Sequence, residues 1–374
     1  MESTATMQRL AIIMAGGSGE RFWPLSRQQH PKQLLRLTSE TKNMLEEAVD
    51  RLAPLIASEH IFVVTGRHLL DSIIAAEIGI PKENVIAEPC KRDTAGCLCY
   101  AAAAMRARYG GNGSNLSMAV VTADHQIGDP DLFRQTVDAS LHIAETQGSL
   151  VTHGIVPDRP DVGYGYIQGS SNPGESVQVG GITLLKAEAF HEKPDASRAQ
   201  DFLDAGNFFW NSGMFFWRVD SFVEELRNAR PEMAEIIDGM ASSIDAGDDT
   251  KTDALFESLE GVSIDYALME HARDVIVARA EYPWDDVGSW LALDRTRESD
   301  SDGNVTFGDP VLIDTTNSIV YNGVGKDDMA VSVIGLEDVV VVVSKDGVLV
   351  TPKDQTQKVK HAVAALKARG SKQV

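Results

Sequence analysis

Residues 10–33 read LAIIMAGGSGERFWPLSRQQHPKQ, and the fold turns on how they are read. Leu10 to Met14 is a short, wholly apolar run, which marks a buried strand. It stops at Ala15-Gly16-Gly17-Ser18-Gly19, so the strand enters a loop whose glycines let the backbone turn and bring its N–H groups close to phosphate oxygens. Arg21 adds a planar, permanently charged fork and Lys32 a mobile point charge, while Pro24 and Pro31 stiffen the chain between them. No Gly-Lys-Ser/Thr closes the loop, so it is not a P-loop. Phe22 stands where the dinucleotide fingerprint needs its third glycine. The joint pattern Gly-Gly-x-Gly-x-Arg-x-x-Pro-x6-Pro-Lys would arise by chance in a chain of this length at a frequency of roughly 10⁻⁶ at average residue usage. It points to nucleotide phosphates.

Outward from this loop, apolar strands alternate with helical spacing. Asn43 to Ile56 places Leu45, Val49, Leu52 and Ile56 on one helical face, Ile61 to Thr65 is a strand, and His68 to Ile78 a helix. Asn84 to Ala87 is a third strand. Thr94 to Tyr109 is an Ala-rich helix with Asp93 or Thr94 as its cap. Ser117 to Thr122 is a strand ending at Ala123-Asp124-His125, Asp131 to Gln147 a helix and Ser149 to Gly154 a strand. This alternation predicts an α/β fold, a mostly parallel mixed sheet flanked by helices in a Rossmann-like arrangement. Ligands of such sheets sit at the carboxyl ends of the strands, where both Gly16-Gly17 and Asp124 fall.

From Pro157 the texture shifts to Gly- and Tyr-rich segments, expected to read a second substrate. The polar stretch Arg297 to Asn304 suggests a boundary. Beyond it Val311–Thr315, Ser318–Asn322, Met329–Ile334, Val339–Val343 and Val348–Val350 predict a small β-rich unit, a short β-helix of a few coils. A helix over Gln355–Ala368 ends the chain. The wholly apolar Val339–Val343 must be covered on both faces or seal an interface. The reading is thus a catalytic part over 1–297 (8–155 for the nucleotide, 156–297 for its partner) and a β-rich part over 298–374.

A net charge of −21 argues against binding nucleic acid or an anionic membrane. The three cysteines, Cys90, Cys97 and Cys99, form neither a disulfide framework nor a zinc set and read as small buried residues. With no apolar leader and no membrane-length run, the expected compartment is the cytoplasm.

The phosphate loop resembles the signature of the nucleoside-diphosphate-sugar pyrophosphorylases. Further segments resemble the mannose-1-phosphate guanylyltransferase branch. They are Glu88-Pro89 with Arg92 and Thr94-Ala95, Thr122 to His125, Gly163 to Ile167, Phe190 to Pro194, Trp210 to Phe215, Ser263 to Tyr266, and Trp284 to Trp290. The resemblance implies a glycosyltransferase-A-like nucleotidyltransferase that joins GTP to mannose 1-phosphate and yields GDP-mannose. It assigns Gly16, Gly17, Ser18, Gly19, Glu88, Arg92 and Asp124 to the nucleotide, and Asp124 and Asp286 to Mg²⁺. Tyr164, Gly165, Glu192, Lys193 and Asn211 are assigned to the sugar phosphate, and Arg21, Lys32 and Lys193 to the reacting phosphates. Asp285 is an alternative metal ligand, and turns, a β-bulge or surface solvation are the ordinary roles of these residue types. Some bacterial relatives carry a further cupin-type isomerase domain. The sequence stops before such a segment, so a single activity is expected, with a homodimer as the assembly.

Overall fold

The computed structural model describes residues 7–17 and 19–374, so Ser18 lies outside the described residues. The strands of the large part are β1 (Gln8–Met14), β2 (Ile61–Gly66), β3 (Val85–Glu88), β4 (Leu116–Thr122), β5 (Gln126–Ile127) and β6 (Leu150–Ile155). They continue with β7 (Tyr166–Gly169), β8 (Ser176–Val179), β9 (Ile182–His191), β10 (Phe208–Arg218), β11 (Val275–Ala280) and β12 (Trp284–Asp285). Ten of them form one mixed sheet in the order β3-β2-β1-β4-β10-β6-β11-β9-β7, with β8 on β9. The pairings of β1 with β2 and β4, β2 with β3, and β6 with β11 are parallel, and β9 and β10 run antiparallel to their neighbours.

Residues 10–13, 61–64 and 118–121 of the central strands are wholly apolar because both faces of the sheet are covered. Ala11 and Ile13 point into one buried cluster, Leu10 and Ile12 into the other, and the alternation repeats at Ile61/Val63 and Phe62/Val64. Helices α1 (Met44–Leu52), α2 (Leu70–Ala75), α3 (Asp93–Tyr109) and α4 (Pro130–Gln147) follow β strands or loops as the pattern requires. Helix α1 starts at a full capping box: Asn43 Oδ1 accepts from Glu46 N, and Glu46 Oε2 from Asn43 N. Helix α3 departs from the expected cap. Arg92 is its N-cap with no side-chain cap bond, Asp93 is the first helical residue at φ +59°, and Thr94 Oγ1 accepts instead from Ile264 N at 2.8 Å. Cys97 and Cys99 are buried on this helix, while Cys90 precedes it, half-buried.

The smaller part winds as a short parallel β-helix. Val305–Phe307, Ile319–Asn322 and Val339–Val343 stack in parallel, with Val348–Pro352 closing the edge antiparallel. Val311–Ile313 and Ser332–Ile334 make a second face. The Val339–Val343 strand is covered on both faces. Val341 and Val343 fill the β-helix interior, and Val340 and Val342 join Phe22, Leu35, Leu37, Val287 and Trp290 in one cluster. The β-helix is therefore cored together with the phosphate loop and the segment carrying Asp286. Leu37, fully buried in that cluster, is a direct probe of the union. Leu37→Ala should cost about 2–5 kcal/mol, and urea unfolding followed by tryptophan fluorescence and by circular dichroism should still give a single coincident transition. Two separated transitions would contradict a shared core.

Candidate active site

Strand β1 ends beside β4, with Met14 opposite Thr122, so the loop after each begins at one place. Ala123 N donates to Met14 O at 3.1 Å and Ala15 N to Val64 O at 2.8 Å. The carbonyl of Ala15 is held from below by Gln33 Nε2 at 2.8 Å and Thr65 Oγ1 at 2.9 Å. Gly16 and Gly17 face open space, room that a ligand can use. The glycine that the fold demands is Gly19, at φ +60°, where a Cβ would lie 2.3 Å from Lys32 Cβ. That contact puts the loop directly on Lys32.

Lys32 is not the mobile charge that its type suggests. It is 5% exposed, and its ammonium donates to Asp124 Oδ2 at 2.8 Å, Asp124 O at 3.0 Å and Asp286 O at 2.8 Å. Burial disfavours ionisation of Asp124, but the Lys32 charge outweighs it and holds the carboxyl below its ordinary range. Asp286 Oδ1 accepts from Tyr164 Oη at 2.9 Å and Gly288 N at 3.1 Å, leaving Oδ2 for another partner. Burial, then the charge of Asp286, raises the Tyr164 hydroxyl well above its usual pKa, so it remains a donor. Arg21 crosses to the same turn, with Nη1 3.2 Å from Gly288 O. Five expected residues, Arg21, Lys32, Asp124, Tyr164 and Asp286, are thus linked by hydrogen bonds.

Asp285, the alternative metal ligand, has both oxygens engaged by protein donors. It is 6% exposed, and its oxygens accept from Arg295 Nε at 2.6 Å, Arg295 Nη2 at 3.1 Å and Val287 N at 2.8 Å. This bidentate pair braces a turn in which Val287 sits at φ +47°, a costly conformation for a β-branched residue.

A cleft of about 260 Å³ opens beside Asp286, lined by Tyr164, Gly165, Asn211, Ser212, Asp265 and Trp284 among others. Asn211 and Gly213 lie in a bulge of β10, where pairing with β6 jumps from Asn211/Gly154 to Phe215/Thr152. Asn211 Nδ2 donates to Asp265 Oδ1 at 2.7 Å, and burial raises the Asp265 carboxyl despite that bond. Gly165 packs so closely that a Cβ there would lie 3.1 Å from Glu192 Oε2. Lys193, at φ +32°, pairs with Glu192 at 3.1 Å and is otherwise largely exposed. Sequence reasoning gave no role to Asp265, Arg295 or Trp284. Asp265 and Trp284 lie in segments that carry the family resemblance, but the contacts of all three residues are made across the fold.

Glu88 and Arg92 are not brought into this network. Arg92 turns its guanidinium to the carbonyls of Lys91 and Glu257, at the end of the helix Asp249–Glu257. Glu88 is 8% exposed beside Cys97, and its Oε1 has no hydrogen-bond partner among the described residues.

Two carboxylates, Asp124 and Asp286, border the phosphate loop. Among the described residues no group of three or more His, Cys, Asp or Glu side chains forms a metal cage. Few carboxylates, with room for water and phosphate oxygens, fit a hard divalent cation such as Mg²⁺. His125 does not compete, since its Nδ1 accepts from Trp284 Nε1 at 3.2 Å.

A family model described as nucleotidyl transferase matches residues 10–302, and one described as a MannoseP isomerase/GMP-like beta-helix domain matches residues 308–366. The chain belongs to the nucleotidyl transferase family and is an enzyme of that class. A mannose-1-phosphate guanylyltransferase of Escherichia coli is 34% identical over 370 residues, spanning 97% of this chain and 77% of the relative. The xanthan biosynthesis protein XanB of Xanthomonas campestris pv. campestris (strain B100) is 38% identical over 370 residues, spanning 96% and 74%. A crystal structure from Thermus thermophilus, described as a mannose-1-phosphate geranyltransferase, superposes with a TM-score of 0.82 at 33% identity. It covers 96% of this chain and 100% of that one.

Burial pushes the Glu88 carboxyl up from 4.5 to about 7. Between those values the folded state keeps a proton that the unfolded state has lost, so the contribution of Glu88 to stability falls as pH rises through this window. Relative to Glu88→Gln, the wild type should lose stability from pH 4.5 to 7 in urea titrations. A difference between the two proteins that is constant with pH would contradict the shift.

Proposed function

We propose that the chain is a mannose-1-phosphate guanylyltransferase, converting GTP and α-D-mannose 1-phosphate into GDP-mannose and diphosphate. The observation that carries this reading is the junction of phosphate loop, Asp124 and Asp286 on the single ammonium of Lys32, beside the cleft. The names of the full-length relatives support the choice of guanine nucleotide and mannose.

The sugar phosphate attacks the α-phosphorus of GTP in line, and diphosphate leaves. With a second pKa of about 6, the attacking phosphate is largely ionised at neutral pH, so no side chain needs to take a proton. The protein's part is placement and charge. The loop Gly16–Gly19 cradles the nucleotide phosphates, and Arg21 steadies the leaving diphosphate. Lys32 holds the two acidic segments at the α-phosphate, and Lys193 meets the sugar phosphate. Glu192, Asn211 and Gly165 face the sugar. Asp124 and Asp286 would hold Mg²⁺, which when bound would supply charge neutralisation between two anionic reactants. We place the division between the two parts at 297/298, with 8–155 for the nucleotide and 156–297 for the sugar phosphate, and the enzyme in the cytoplasm. Among the described residues no helix is long and apolar enough to cross a membrane.

Purified protein with Mg²⁺, GTP and mannose 1-phosphate should release diphosphate. Asp286→Ala should lower turnover by roughly 10²–10³-fold or more, the scale of losing one preorganised charge-stabilising group, with the circular dichroism unchanged. Near-normal turnover would refute the metal role of Asp286. Faster release with another nucleotide or sugar phosphate would reassign the specificity. A homodimer is proposed as the assembly, and light scattering showing a monomer mass across concentrations would contradict it.

A further inference from the structure

Asp265 lines the cleft beside Asn211 and is held there rigidly. It opens a π-helical turn, Asp265–Met269, in which Ala267, Leu268 and Met269 are buried. Such turns occur often at functional sites. The residue before it, Ile264, is buried as well, and its N–H donates to Thr94 Oγ1 at 2.8 Å.

The Asn211 amide is locked at both ends. Its Nδ2 donates to Asp265 Oδ1 at 2.7 Å, and its Oδ1 accepts from Gly213 N at 3.1 Å. An amide nitrogen carries two hydrogens and a carboxylate has two oxygens, so neither group is saturated by this bond. Asp265 Oδ2 has no hydrogen-bond partner among the described residues, and it is open to solvent rather than enclosed. Side by side on the cleft wall, the pair offers one amide donor and one carboxylate acceptor. Two adjacent hydroxyls of a pyranose, one accepting and one donating, are the complement of that pair. A phosphate is not. Burial raises the Asp265 carboxyl first, and the charge of Glu192 pushes the same way, so this wall disfavours a further anion and gains from a hydroxyl proton.

We propose that Asp265 is a specificity-determining residue, accepting a hydrogen bond at Oδ2 from one of two adjacent ring hydroxyls while Asn211 donates to the other. The proposal rests on the reading above that the cleft takes the sugar phosphate, and it adds a residue to which that reading gives no role.

Asp265→Asn separates contact from support. It keeps an oxygen for Asn211 Nδ2 and puts an amide NH2 where Oδ2 was, so Asn211 stays in place while the acceptor is lost. With the sugar 1-phosphate that the wild type uses best, kcat/KM should fall roughly 10–100-fold. KM for the nucleotide and the circular dichroism should be unchanged. Asp265→Ala, which also releases Asn211, should fall further. Among the 2-, 3- and 4-deoxy analogues of that sugar phosphate, one should cost the wild type a similar factor, and Asp265→Asn should lose little more with that analogue than with the parent. Wild-type kcat/KM in Asp265→Asn, or wild-type discrimination against every deoxy analogue, overturns the proposal and leaves Asp265 as a support for Asn211. Calorimetric titration with GDP-mannose reads the same contact without turnover. There Asp265→Asn should bind more weakly than the wild type, and equal affinity overturns the proposal. No diphosphate release from any sugar 1-phosphate would instead sink the reaction proposed above.

Discussion

A single buried ammonium organises this protein's candidate active site. Lys32 comes from the phosphate loop, Asp124 from just beyond the end of β4, and Asp286 from a turn 254 residues after Lys32, and all three meet at its Nζ. A buried lysine is tolerated only when its charge is matched and its protons are placed. Here one carboxylate and two carbonyls do both. The consequence runs backward into the loop. Because the Lys32 stem is fixed, the chain at Gly19 must pass over it, which requires a left-handed residue without a side chain. The glycine pattern in the sequence is therefore partly a record of where Lys32 lies.

The C-terminal β-helix belongs to the same constraint. Its outer valines share a core with Phe22, next to Arg21, and with Val287, next to Asp286. Val287 is held at positive φ, and a conformation that costs on the order of 1–3 kcal/mol persists only where the surroundings over-determine it. The Asp285–Arg295 pair, the Gly288 N–H on Asp286 and the apolar packing of Val287 together supply that determination. The β-helix thus packs directly against the segments that carry Arg21 and Asp286.

Much of this was legible in the sequence, for identifiable reasons. Strands buried on both faces are continuous apolar runs, so β1, β2 and β4 declared themselves, and their shared carboxyl end placed Gly16 and Asp124 together before any coordinates. The Val339–Val343 strand announced that it was covered twice. What stayed hidden depended on contacts with no local signature. Lys32 looked like any loop lysine, and nothing nearby in sequence says that its ammonium is immobilised. Asp285 and Asp286 are chemically identical neighbours, and it is the position of Arg295 that pairs the first with a cation and leaves Oδ2 of the second open. The cap of α3 was misread because Thr94 spends its hydroxyl on Ile264, across 170 residues of chain. Arg92 and Glu88 carry the right chemistry for a nucleotide site, yet in this structure one faces a helix end and the other is buried beside Cys97.

The opening of the cleft beside Asn211 follows from a discontinuity in the sheet. Strand β10 pairs with β7 through Phe208–Trp210 and with β4 through Phe215–Arg218, and both partners lie on the edge opposite β6. Between them that edge has only the Asn211 N–H, which donates to Gly165 O at 2.8 Å. A continuous partner strand would pair these residues and shut the cleft. The bulge prevents this: Asn211 turns its amide to Asp265, Gly213 takes φ +67°, and Ser212 donates to His153 O at 2.7 Å. The residue types that read as a bulge and those that read as a sugar site are therefore the same residues for one reason. Interrupting the ladder takes these polar groups out of strand pairing, and the interruption occurs where the loop bearing Tyr164 brings its hydroxyl to Asp286.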